Sequence, residues 1–474
     1  MIRETTICAL STPVGTGGLA VIRLSGPEAF AICQKLLPKR GVKGRLLSLA
    51  ERPSHRAFFS RISDPVSGQL LDEGMILPMK GPHTFTGEDT VEIDCHGGMY
   101  ICRRILEALI ASGAHMADPG EFTKRAFLNG KLDLSQAEAV MDMIDAGTRY
   151  SLKAASSQLS GKLSRETDAL REELLSILVD VEVNIDYPEY DDLPEISDED
   201  LQVRAKSVLD RIEALLSTAD SGIRLREGLS TAIIGLPNVG KSSLLNRLLG
   251  EERAIVTDIP GTTRDVVSEM ADLGGIPVRL IDTAGIRQTE DLVESLGVQR
   301  SYEAIRKSDL VLFISDHPKI TLGEMSEEEK ELLRLIDQKP CLLLINKADL
   351  REDAALEAAD NSAWPEDLPR PGKVLSISAR TGEGLEETAI YIKEAFFSGE
   401  VLTKEGPLVT NLRQKEALLR AKEALTRVQA GAGLPQDLLS IDLSEAADAL
   451  GEVTGKSARQ DVVDQIFARF CLGK

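Results

Sequence analysis

The stretch STAIIGLPNVGKSSLLNRLLG, Ser230–Gly250, constrains the fold more than any other part of this chain. It reads as a strand, a glycine turn and an amphipathic helix, and Gly235, Gly240, Lys241 and Ser242 fit the spacing G-x4-G-K-[ST]. Glycines there let backbone amides curl around phosphates, Lys241 neutralises their oxygens, and Ser242 can ligate Mg²⁺. The helix N-terminus adds the positive end of its dipole. Such a strand–helix unit needs parallel neighbours, and the chain supplies VRLID, DLVLFIS, PCLLLIN and VLSIS, separated by helical segments. That rhythm predicts a doubly wound, mostly parallel α/β sheet over residues 222–399.

Three further motifs follow in order. Asp282 ends a strand and opens DTAG, where it suits the outer shell of Mg²⁺, and the Gly285 amide can sense a γ-phosphate. In INKAD, Asp349 can accept from the N1–H and 2-amino group of guanine, a donor pair adenine lacks, with Asn346 and Lys347 flanking the base. In SISAR, Ser378, Ala379 and Arg380 end the last strand, where a backbone amide can meet the guanine O6. Together these predict GTP as the nucleotide. Between the P-loop and DTAG lies AIVTDIPGTTRD, where Thr262 or Thr263 should complete the Mg²⁺ shell in a switch segment. Ras-like GTPases carry a water-orienting glutamine after DTAG; here the position is Ile286, which has no donor or acceptor.

The rest of the chain is built differently. Residues 1–120 mix short strand-like runs (LAVIRLSG, GMILPM, DTVEIDCHGG) with helical segments, which predicts an α+β domain. From SQAEAV to VEVNI the pattern is helical with no Pro. The acidic loop DYPEYDDLPEISDED then precedes a helix whose start, Ser197 with Asp200, reads as a capping box. Residues 400–474 are helical again. Helical stretches at 121–221 and 400–474 thus flank the α/β unit, predicting one discontinuous helical domain with the α/β domain inserted.

Composition narrows the function. Aromatics are only 4% of residues, favouring helices and α/β units over an all-β sandwich. The net charge of −21 repels phosphate backbones, so an RNA substrate would need a local patch or a basic partner. No apolar run approaches a membrane span, and the start MIRETTICALSTPVG lacks a signal-peptide core, so a cytoplasmic location without membrane association is expected. The six cysteines read as reduced thiols; Cys95, His96 and Cys102 cluster in sequence but do not complete a zinc pattern.

The motifs NVGKSSLLN, PGTTRD, DTAGIR, NKAD and SARTGEG resemble those of the MnmE (TrmE) family of tRNA-modification GTPases. TPVGTGGLAVIRLSG, FTGEDTVEIDCHGG, PGEFTKRAFLNGKLDLSQAEAV and the terminal FCLGK extend the likeness from end to end. The resemblance implies an N-terminal folate-binding and dimerisation domain, and a Ras-like P-loop G domain inserted in the helical domain. It implies K⁺ bound by Asn238, Thr257, Ile259 and Thr262, doing beside the phosphates what an arginine finger does elsewhere. Glu294 would orient water through a bridging water. Mg²⁺ would sit on Ser242 and Thr263. The GTP-binding set so implied adds Val239, Ser243, Asp258, Thr283 and Ala284. Arg264 and Arg287 are candidates for switch contacts or surface salt bridges.

At the other end, Arg23, Glu92 and Lys131 are scattered charges in sequence. The resemblance makes them contacts for a tetrahydrofolate derivative (5-formyl- or 5,10-methylenetetrahydrofolate), with Lys474 contributing. Cys471 in the C-terminal CLGK is then either catalytic or positional. The implied partners are a second copy of the chain and the FAD-dependent MnmG (GidA), forming a heterotetramer that adds an aminomethyl-type group, such as carboxymethylaminomethyl, to C5 of the wobble uridine. No G-x-G-x-x-G opens a dinucleotide-binding unit here, which supports a separate flavoprotein, and the acidic balance suggests that this partner largely presents the tRNA. Two alternatives remain: a ribosome-assembly GTPase of the Era/Der type, disfavoured by the charge and the lack of a KH GXXG loop, and a purely regulatory switch.

Overall fold

The computed structural model describes residues 5–38, 48–186, 196–250, 269–281, 302–317, 320, 324–350, 364–397, 402, 406–468, 470, 471 and 473. They fall into two compact units, Met1–Met141 with Asp448–Lys474, and Asp142–Ala447.

The first unit is built on a six-stranded sheet. Its strands are β1 (Ile7–Leu10), β2 (Ala20–Ser25), β3 (Phe58–Ser63), β4 (Leu70–Met79), β5 (Thr90–Cys95) and β6 (His115–Met116), ordered β3-β4-β5-β2-β1-β6. All pairings are antiparallel except β1 with β6. Strict alternation sets the faces. Ile22, Leu24, Val91, Ile93 and Ile76 pack against the apolar sides of α1 (Ala29–Leu36) and α2 (Met99–Ala111). The intervening residues Arg23 and Glu92 therefore share the opposite face, where Phe122 of α3 (Glu121–Leu128) is fully buried. The strands β1, β3 and β6 were not legible as strands in the sequence.

In the second unit the long helical pattern resolves into separate helices: α4 (Leu134–Asp145), which begins before the division, α5 (Arg149–Leu159) and α6 (Lys162–Asp186). One break is made by Thr148, which caps α5 in a capping box with Ser151; the other is at Gly161, whose φ of 73° lies in the left-handed region. Helix α7 (Asp198–Leu216) is capped by Ser197, which accepts from Asp200 N at 3.1 Å. The reciprocal half of the expected box is replaced: the Asp200 carboxylate takes the Ser197 hydroxyl at 2.8 Å. Aspartate is a methylene shorter than the glutamate that usually reaches back to the N-cap amide. Helix α8 (Ala219–Glu227) then leads into the second sheet.

That sheet has the order β12-β11-β10-β7-β9-β8, formed by β7 (Leu229–Ile234), β8 (Glu269–Leu273), β9 (Ile276–Leu280), β10 (Leu310–Ser315), β11 (Cys341–Ile345) and β12 (Lys373–Ser376). It is parallel apart from β8, an antiparallel edge strand absent from the sequence expectation. Every residue of β7, β10 and β11 is buried. Leu310, Leu312 and Ile314 join one core and Val311 and Phe313 the other, so the sheet is covered on both faces, as continuous apolar strands require. Helices α9 (Lys241–Leu249), α10 (Glu327–Arg334) and α11 (Leu385–Phe396) belong to this α/β part, and α12 (Leu412–Ala430), α13 (Gln436–Thr454) and α14 (Gln460–Phe467) complete the chain. No helix among the described residues is long and apolar enough to cross a membrane.

Candidate functional site: a nucleotide loop cluster and a charged sheet face

The strands β7, β10, β11 and β12 deliver their C-terminal loops to one edge, where ligands of doubly wound sheets bind. The loop after β7 begins at Gly235, packed so tightly on the Ile314 carbonyl that a Cβ would collide. It continues through Asn238, whose φ of 63° is unusual for a side-chain-bearing residue, to Gly240 at φ 102°. Gly240 caps α9 and passes so close to the Asn346 amide that a Cβ there would clash. Ser242 and Ser243 lie exposed in the first helical turn. Lys241 folds over the loop, donating to the carbonyls of Gly235 at 2.8 Å and Leu236 at 2.7 Å. Burial pushes its ammonium below the usual lysine range.

Asn346 joins the P-loop to the two other described loops. Its side chain donates to the Val239 carbonyl at 2.8 Å and accepts from the Ala379 amide at 2.9 Å, with the residue 3% exposed. Both ends of the amide are used, so one side chain fixes three segments distant in sequence. Lys347 Nζ pairs with Asp316 Oδ2 at 2.5 Å. Asp349 lies in a 3₁₀ turn and accepts from Ser378 Oγ at 2.6 Å and Arg380 Nε at 2.9 Å. Those two donors hold its carboxyl below the usual carboxylate range, so it is charged at neutral pH. The sequence points Asn346 only to the base and does not point to Asp316; neither the 107-residue separation of Asn346 from Val239 nor a carboxylate in the loop just after β10 leaves a local sequence signal.

The cluster brings together bending glycines, a desolvated ammonium and a charged carboxylate, a set chemically suited to a nucleoside phosphate. Thr257, Asp258, Ile259, Thr262, Thr263, Arg264, Asp282, Thr283, Ala284, Gly285, Ile286, Arg287 and Glu294 lie outside the described residues.

In the first unit, Arg23 and Glu92 face each other directly across β2 and β5. Arg23 Nε and Nη2 both donate to Glu92 Oε1, at 2.9 and 2.8 Å. The guanidinium also lies 5.7 Å from the Phe122 ring centre and 5.9 Å from that of Phe85. Lys131 donates to the Pro82 carbonyl at 3.0 Å. Half-buried Cys471 is held by its carbonyl, which accepts from Gly120 N at 3.3 Å, two residues before Phe122. Ser11 Oγ donates to the Gly473 carbonyl at 3.1 Å, and a Cβ on Gly473 would collide with the Leu10 carbonyl. The tail thus docks against β1, whose Ala9 pairs with Arg23. Lys474 lies outside the described residues. Cys95 and Cys102 are buried and His96 Nδ1 pairs with Asp72 Oδ1 at 2.7 Å; no group of three potential metal ligands occurs among the described residues.

Comparison with known proteins gives matches along the chain. Residues 6–131 match the family model described as the GTP-binding protein TrmE N-terminus, and residues 134–471 match the MnmE helical domain. The tRNA modification GTPase MnmE of Oceanobacillus iheyensis is 44% identical over 476 residues, covering 100% of both chains. That of Enterococcus faecalis is 47% identical, covering 99% of this chain and 98% of its own, and that of Bacillus subtilis is 44% identical, covering 99% and 100%. A crystal structure of Era with MgGDPNP and a 16S ribosomal RNA segment matches 41% of this chain and 65% of its own at 28% identity, with a TM-score of 0.27 that is too low to carry weight. With a family model spanning most of its length and full-length relatives well above 40% identity, the chain belongs to the MnmE family of tRNA modification GTPases.

Proposed function

We propose that this chain is a K⁺-stimulated GTP hydrolase that works with the FAD-dependent MnmG on the wobble uridine of certain tRNAs. The observation that carries the nucleotide half is the Asn346 junction, which holds the P-loop and the Ala379 amide at fixed separation beside a charged Asp349. That arrangement suits a guanine base whose phosphates lie along the α9 N-terminus. Lys241 and the loop amides would hold the β- and γ-phosphates, Ser242 and Thr263 would hold Mg²⁺, and Asp349 would take the guanine edge. Asp282 and Gly285 would follow the γ-phosphate.

A monovalent cation would supply positive charge beside the phosphates that this chain lacks as an assigned arginine finger. Its ligands would be Asn238, Thr257, Ile259 and Thr262, of which Asn238 is presented by an exposed, positive-φ position in the loop. With Ile286 unable to position water, Glu294 takes that role. The domain boundaries that go with this reading are 1–120, 121–221, 222–399 and 400–474.

The folate half rests on Arg23 and Glu92. Their pairing through one carboxylate oxygen leaves Oε2 to accept from a pterin-type 2-amino edge, while Lys131 and Lys474 would meet the acidic tail. Bound 5,10-methylenetetrahydrofolate would supply the one-carbon unit. Cys471, brought by the docked tail to Gly120, is either a participant or a positioning group. A homodimer meeting MnmG in a heterotetramer, in the cytoplasm, completes the reading.

Two measurements test it. Purified protein should hydrolyse GTP faster in K⁺ than in Na⁺, with Glu294→Ala slowing turnover while GTP affinity is kept. Cells lacking the protein should lose the C5-modified wobble uridine and regain it on complementation. Turnover indifferent to the cation together with unchanged tRNA nucleosides would favour a regulatory or ribosome-assembly switch instead.

A further inference from the structure

The carboxylate that would read guanine is already engaged by a side chain of its own chain. Arg380 Nε and Nη2 reach Asp349 Oδ2 at 2.9 and 2.6 Å, while Ser378 Oγ donates to Oδ1 at 2.6 Å. A guanidinium is a planar array of parallel N–H donors. The N1–H and 2-amino edge of guanine presents a similar donor array without the charge. Arg380 and the base therefore compete for the same acceptor.

The two partners of Asp349 differ in how freely they leave. Ser378 is fully buried and its oxygen also accepts from Thr381 N at 3.1 Å, so it is a fixed part of the loop. The Arg380 side chain is 74% exposed, whereas that of Asp349 is only 11% exposed. The arginine can swing into water with little loss of packing, and the aspartate cannot follow it.

We infer that Arg380 is an affinity-setting gate at the base site, occupying the guanine-reading edge of Asp349 until a guanine nucleotide displaces it. This rests on the guanine reading of Asp349 given above. While the gate is closed, a base offering only one donor gains too little to open it. When nucleotide departs, Arg380 recaptures the carboxylate and opposes rebinding. The gate thus lowers affinity by making association wait for one solvent-exposed ion pair to open. It also inverts the simplest electrostatic expectation, since removing a positive side chain should strengthen the binding of an anionic ligand.

The test is equilibrium and stopped-flow binding of GDP to the full-length protein and to Arg380→Ala, Arg380→Gln and Arg380→Lys. The neutral variants should bind GDP about two- to fivefold more tightly at low salt, the range expected for an exposed pair. Their association should be faster, with Arg380→Lys intermediate. The advantage should shrink as salt screens the wild-type pair. Neutral variants that bind GDP equally or more weakly at low salt overturn the gate and assign Arg380 to holding the nucleotide. Failure of the guanine reading looks different: GDP and ADP would then bind alike in both wild type and variants.

Discussion

The side-chain amide of Asn346 donates to the carbonyl of Val239 at 2.8 Å, a bond between the end of β11 and the middle of the P-loop. With the Ala379 amide bound to its other end, Asn346 turns three loops into one site. Replacing it with Ala leaves a buried carbonyl and a buried amide without their partner, costing about 1–3 kcal/mol for each. Chemical denaturation should show a loss of about 2–6 kcal/mol for the two groups together, and GTP affinity should fall with it. An Asn346→Ala protein of wild-type stability and affinity would contradict the junction.

Lys241 gives a pH prediction with a definite sign. Burial lowers its pKa in the folded state, so the unfolded chain holds the proton more tightly. Between the folded and unfolded values the nucleotide-free protein gains stability as pH rises; below that window the buried charge is a standing cost. Lys241→Met should therefore leave nucleotide-free stability equal or higher at neutral pH while GTP binding collapses. In the wild type, affinity should weaken as pH rises past a point lower than the ordinary lysine value of about 10.4. Titration of GDP affinity across the alkaline range checks this.

The Arg23–Glu92 pair separates stability from ligand binding. Each side chain is about one-fifth exposed, so the pair should contribute about 1 kcal/mol or less after solvent screening. A double-mutant cycle with Arg23→Ala and Glu92→Ala measures that coupling by denaturation. Binding of 5-formyltetrahydrofolate should fall much further, and Glu92→Gln should bind poorly while folding normally. Undiminished folate binding in Glu92→Ala would remove the site.

Thiol reactivity should single out the tail. Burial pushes Cys8, Cys33, Cys95 and Cys341 to about 12, and Cys102 is also buried. Cys471 is half-buried and held by its backbone. Alkylation of the native protein should modify Cys471 first, with the other thiols reacting only on unfolding. Peptide mapping after a timed alkylation reads the order directly. Blocking of Cys471 should be slowed by bound folate if the tail and Arg23 share a ligand.

Much of the G-domain architecture was readable because its signals are local. The β-like runs STAII, DLVLFIS and PCLLLIN became the buried parallel strands Leu229–Ile234, Leu310–Ser315 and Cys341–Ile345, and glycine spacing identified the loop before α9. The long helical run was read as helical but not divided, because a cap such as Thr148 is recognisable only once its bond to Ser151 is seen. Strands β3, β6 and β8 escaped because edge strands carry half-exposed, weakly patterned residues. The charges at Arg23 and Glu92 looked scattered because strand register, not sequence distance, places them opposite each other.

Sequence alone determined the family to which the motifs point, the glycine spacing of the loop before α9, and which side chains are available to the proposed nucleotide site. Tertiary structure decided the partnerships. Asn346 with Val239, Arg23 with Glu92, and Arg380 on Asp349 all join residues far apart in the chain, and only sheet register and loop convergence make them neighbours. The physical reason is range: propensity and periodicity act over a few residues, whereas a hydrogen bond needs about 3 Å of proximity that the packed core alone enforces.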